Sequence, residues 1–148
     1  MDITITEVAS RDGLQNEKHP VSTEQKIELI GRIAKAGMKR FEVTSFVSTR
    51  AVPALADAED VVKGVPDRES LIIEALVPNL RGAERAAALA RTRYEQGFIG
   101  DFEVLAAEQE LTTTRDAQVR SQAAVTQAMV DVYRALSGAP APAAESKP

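Results

Sequence analysis

ITITEVASRDGLQNE, residues 3–17, sets a β-branched run against a turn of charged and amide side chains. Ile3, Ile5 and Val8, with Thr4 and Thr6 between them, favour a strand, and residues 11–20 then read as a long polar loop. Enzymes built on parallel strands present their catalytic groups where such strands end. Arg11 and Asp12 are therefore the first candidates for chemistry.

Working outward, a helix is expected next. Ser22 or Thr23 can cap it, and Glu24 and Glu28 sit early, where the helix dipole favours anions. Ile27, Ile30, Ile33 and Ala34 form its apolar stripe, and Gly37 is placed to cap its end. RFEV, residues 40–43, is the next strand, so strand, helix and strand follow one another as in a βαβ unit. A polar loop over 44–53, an alanine-rich helix over 54–62, a strand over 71–77 (LIIEALV) stopped by Pro78, and a helix opening near Gly82 complete the pattern. The fold class is α/β: about three βα units over residues 1–90, which imply a parallel sheet covered by helices.

The chain then changes character. Five of its six lysines precede residue 90 and five of its seven glutamines follow it. Past the glycines at 97 and 100, a long α-helix is expected over 101–136, with Asp101 as cap and Gly138 just beyond its end. It would measure about 50 Å. Val104, Leu111, Val125 and Val132 share one heptad seam, interrupted by Gln118, and Ala107, Thr114, Ser121, Ala128 and Ala135 lie beside it. The helix before it is too short to cover that seam. Residues 91–138 thus form a helical segment suited to self-association, and APAPAAESKP, residues 139–148, reads as a disordered tail.

Composition narrows the function classes. With 44% hydrophobic and 27% charged residues the chain is of globular type, and a net charge of −4 argues against a phosphate-backbone binder. Nucleic acid is not expected as a partner. There is no cysteine, which excludes disulfides, thiolate nucleophiles and cysteine-ligated metals, and one histidine, His19, which reads as a surface loop residue. The first residues lack a basic region and an apolar core, no run is long enough to span a bilayer, and a cytoplasmic location without membrane insertion is expected.

EVASRDGLQNE, FEVTSFVS, the AVPALAD that follows and VPNLRG occur in one order. In these motifs the first 90 residues resemble the N-terminal part of 3-hydroxy-3-methylglutaryl-CoA lyase. The resemblance implies a (β/α)8 barrel enzyme that cleaves an acyl-CoA substrate by a retro-Claisen reaction with a divalent cation, Mg²⁺ or Mn²⁺. By the same resemblance Arg11 matches the arginine that stabilises the enolate, Asp12 the metal-ligating aspartate, and Glu42 the glutamate of the second strand near metal and substrate. The family completes its metal site with two histidines and an asparagine from later segments and carries a cysteine on a mobile loop. Residues matching these are absent, so the chain is expected to be inactive alone.

Residues 91–138 resemble a different family, the C-terminal end of outer-membrane efflux channel proteins. The resemblance rests on RYEQG (93–97), FEVL (102–105), Leu111 and VYRALSG (132–138). It implies the periplasmic tip of a helical hairpin, an adaptor-docking element. Together the two resemblances describe a chimera joined between residues 83 and 91. For Thr44, Ser45, Ser48 and Asn79, substrate contact stands beside the plainer reading of turn or cap.

Overall fold

The computed structural model describes residues 3–65 and 70–138. The expected tail over 139–148 lies outside the described residues. Helix α1 (Thr23–Lys35) starts at a reciprocal capping box: the Gln25 amide donates to Ser22 Oγ, and the Ser22 amide donates to Gln25 Oε1. Gly37, at φ 107°, ends it in the left-handed conformation that a side chain would resist.

Strands β1 (Arg40–Ser45) and β2 (Ile72–Leu76) pair in parallel, Arg40 beside Ile72 and Ser45 beside Leu76, with a register shift between Glu42 and Thr44. Helix α2 (Ala58–Gly64) lies between them in sequence. Alternation along β1 puts Phe41 and Val43 into a core with Ile30, Val61, Val65 and Leu71. Phe46, Ala58 and Leu89 make a second cluster.

The expected strand at residues 3–8 is reduced to one parallel bridge between Glu7 and Phe41. The Glu7 amide donates to Arg40 O and the Glu42 amide to Glu7 O, at 2.9 and 2.8 Å. Ile3 and Ile5 remain 84% and 66% exposed. With nothing to bury them, burial does not drive the ladder further. The loop expected over 11–20 also differs, since Ala9–Gly13 winds into a π-helical turn, with the Asp12 amide bonded to Val8 O.

The single helix expected over 54–62 is broken into a 3₁₀ turn, Pro53–Leu55, and α2. The break falls at Asp57. Its carboxylate accepts from Lys26 Nζ at 2.6 Å and from Thr23 Oγ1 at 2.7 Å, which pins the chain to α1.

Helices α3 (Leu80–Glu95) and α4 (Asp101–Ser137) form a hairpin turned at Gly97, φ 74°. Gly100, not Asp101, is the N-cap of α4, and Asp101 sits in the first turn, where its carboxylate engages Tyr94. Gly138 ends α4 in the left-handed conformation, as expected from its position. Val104, Ala107, Leu111 and Thr114 are half-buried against α3, braced by ion pairs Arg91–Glu108 and Glu84–Arg115. From residue 115 to 138 every side chain is exposed, so α3 covers only the first half of the seam. The architecture is a fragment of a βα barrel followed by a long helix. Among the described residues no helix is long and apolar enough to cross a membrane.

Candidate active site

The turn Ala9–Gly13 follows the Glu7 bridge and packs on β1, which carries Arg11 to Glu42. Glu7 fixes the start of that turn, its Oε1 accepting from the Ala9 amide at 2.7 Å. Arg11 Nε donates to Glu42 Oε1, and Arg11 Nη1 donates to Asp12 Oδ1 at 2.7 Å. The side chains of Arg11 and Glu42 are 18% and 22% exposed, whereas Asp12 is 61% exposed. The structure therefore brings the three sequence-derived candidates together as one guanidinium between two carboxylates.

Beside them runs a second ion pair. Arg40 and Glu74 are on neighbouring strands, Arg40 Nε and Nη2 donating to the two Glu74 carboxylate oxygens, and the Glu74 carboxylate, by hydrogen bond and charge, raises the Arg40 pKa above its ordinary value. Two buried hydroxyls, Ser10 Oγ and Thr44 Oγ1, have no hydrogen-bond partner. Thr44 is one of the substrate-contact candidates. Ser45 is instead bonded to Leu76 O, and Asn79 caps α3 by accepting from the Gly82 amide at 2.9 Å. His19 is remote in character, 93% exposed beside Glu17.

A divalent cation with oxygen ligands needs several converging donors. Among the described residues no group of three His, Cys, Asp or Glu side chains is placed to hold one. Asp12 and Glu42 both turn toward Arg11. These residues alone do not fit a complete divalent site.

Comparison with known proteins gives this stretch of parallel sheet a family. The sequence model of the HMGL-like family matches residues 2–138. The chain belongs to the HMGL-like family. The match runs through α4, across the junction expected near residue 90.

Among its HMGL-like relatives, the hydroxymethylglutaryl-CoA lyase YngG of Bacillus subtilis is 48% identical over 84 residues, 57% of this chain and 28% of that protein. The crystal structure of the Bacillus subtilis HMG-CoA lyase superimposes with a TM-score of 0.56 at 34% identity, over 80% of this chain and 43% of the other. An HMG-CoA lyase from Acinetobacter baumannii, solved with coenzyme A and 3-methylmalate, superimposes with a TM-score of 0.55 at 34% identity over 72% of this chain and 39% of the other. The chain thus spans less than half the length of these relatives.

Sequence reasoning missed Glu7, the Arg40–Glu74 pair and the burial of Arg93. For Arg93 a signal existed. Ala86, Leu89, Ala90 and Arg93 recur at helical spacing, which puts the arginine on the apolar stripe of α3.

Proposed function

We propose that residues 1–90 supply the first βα units of a 3-hydroxy-3-methylglutaryl-CoA lyase type of centre, and that this chain does not complete the centre by itself. The observation that carries the reading is the guanidinium of Arg11, held by Glu42 from one side and Asp12 from the other. A charge fixed in that way stabilises an enolate oxygen as a C–C bond breaks, because it needs no reorganisation when negative charge develops. Asp12 is the family's metal-ligand position, and Glu42 orients Arg11. The substrate class is an acyl-CoA, supported by the Acinetobacter lyase, whose structure is a complex with coenzyme A. A cytoplasmic setting accords with this substrate.

The test is a coupled assay for acetoacetate with the purified chain, Mg²⁺ or Mn²⁺ and hydroxymethylglutaryl-CoA. No turnover above background is expected. Metal-dependent release abolished by Arg11→Gln would overturn the inactive reading, and a calorimetric titration showing tight Mn²⁺ binding would reveal further ligands.

A second reading rests on a separate observation, the uncovered half of α4. Val125, Met129, Val132 and Leu136 are each more than half exposed. A stripe of this kind is buried by pairing with another helix. We infer that the hairpin of α3 and α4 is an association element, and its resemblance to the efflux-channel tip points the same way. Sedimentation velocity over a range of concentrations tests it: association lost on deleting residues 116–138 supports the reading, and a monomer throughout overturns it.

A further inference from the structure

A cavity of about 580 Å³ lies between the helix-facing side of β2 and the α3–α4 hairpin. Phe46, Val62, Leu71, Ile73 and Leu89 give it an apolar wall, and the turn at Gly97–Gly100 lines it as well. Among the described residues one cation stands in that wall. Arg93 is 7% exposed, and its Nε is buried without any hydrogen-bond partner. The ring of Phe98 lies 5.3 Å from its guanidinium carbon, and desolvation lowers its pKa. A buried donor on a charged group that bonds to nothing is costly, and a carboxylate placed against it removes that cost.

Helix α4 opens at Gly100, which lines the cavity, and its first turn already carries the carboxylates of Asp101 and Glu103, so the charge on Arg93 and not the helix dipole is what a ligand would answer. Two carboxylates also line the space. Glu74 is committed to Arg40, and Glu103 is exposed, where water screens it.

We propose that this cavity binds an amphipathic monocarboxylate, its head on Arg93 and its alkyl chain along the wall. The volume lies within the range that small-molecule sites occupy, and a cation set beside Phe46, Leu71, Ile73 and Leu89 matches a ligand with one negatively charged end and an apolar body. This site is separate from Arg11, Asp12 and Glu42, and it stands whether or not the lyase reading does.

The experiment is calorimetric titration of the full chain with sodium decanoate, with decanol as the uncharged probe and circular dichroism to verify folding of each variant. Binding of decanoate is expected, at least about tenfold weaker for Arg93→Gln and for decanol, since a charge-assisted hydrogen bond is lost in each. Ala90→Phe, which fills the cavity and leaves Arg93 in place, is expected to abolish binding. The proposal is overturned by absence of decanoate binding to the folded chain, by equal affinity for decanol, or by unchanged affinity in Arg93→Gln. If Arg93→Gln does not fold, equal binding of decanoate and decanol to the parent chain, or full binding to Ala90→Phe, still overturns it. Concentration-dependent association of the parent chain that Arg93→Gln disrupts, without decanoate binding, would assign the cavity to a second copy instead.

Discussion

Arg11 and Glu42 stand 31 residues apart in sequence and meet through Nε and Oε1, tying the first turn of the chain to β1. Both side chains are less than a quarter exposed, so water screens the pair only in part. A double-mutant cycle of Arg11→Gln and Glu42→Gln, read by urea denaturation, is expected to give a coupling of about 1 kcal/mol. Additive losses would mean that the two residues do not act as a unit.

Gly82 sits under Phe46. A Cβ built on Gly82 would lie 2.5 Å from the Phe46 carbonyl oxygen, a backbone atom that cannot rotate away. Gly82→Ala must therefore push α3 off the end of β1. The expected cost is about 2 kcal/mol in unfolding free energy, typical of overpacking. An unchanged urea midpoint would show that the helix shifts freely.

Lys26 is 3% exposed, and its Nζ donates to Ala54 O and Asp57 Oδ1, both at 2.6 Å. Replacing it by Met keeps the volume and leaves the Asp57 carboxylate without its cation. Asp57 retains Thr23 and some contact with water, which limits the loss. Lys26→Met is expected to destabilise the chain by about 2 kcal/mol. The measurement is again the denaturation midpoint.

Tyr94 carries a pH signature. A hydrogen bond to Asp101, reinforced by the charge of that carboxylate, raises the Tyr94 phenol pKa above its ordinary value. The folded chain thus favours the protonated phenol. This contribution is fully present below the unfolded value, near 10, and is lost as pH rises through the higher folded value. Asp101→Asn is expected to lower the phenolate midpoint followed by ultraviolet absorbance. A midpoint that stays in place would remove Asp101 as the cause.

Local signals carried most of this fold into the sequence. The Ser22–Gln25 box, Gly37 and Gly138 act within one helical turn, so their residues alone announce the ends of α1 and α4. Arg11, Asp12 and Glu42 were legible because a motif marks them, although their meeting depends on the parallel alignment of residues 7 and 41. What failed was non-local. Ile3 and Ile5 alternate as a strand should, but a strand needs a neighbour, and composition cannot show that among the described residues of this stretch Glu7 alone shares backbone hydrogen bonds with β1. Asp57 breaks a helix because Lys26 and Thr23 hold it from another element. Arg93 was hidden by a habit of reading charge as exposure.

Helix α4 offers the contrast that joins fold to function. Its backbone is continuous over 37 residues, yet only the part up to residue 115 rests on α3. An isolated helix of this kind gains little from propensity alone and is stabilised mainly by what it packs against. In dilute protein, amide hydrogen exchange over residues 101–114 is expected to be at least about tenfold slower than over 118–135. Raising the concentration should slow exchange in the second part alone if Val125 and Val132 pair with another copy. Equal protection of both parts in dilute protein would mean that something already covers the seam, and exchange indifferent to concentration would leave Val125 and Val132 facing water without a role in association.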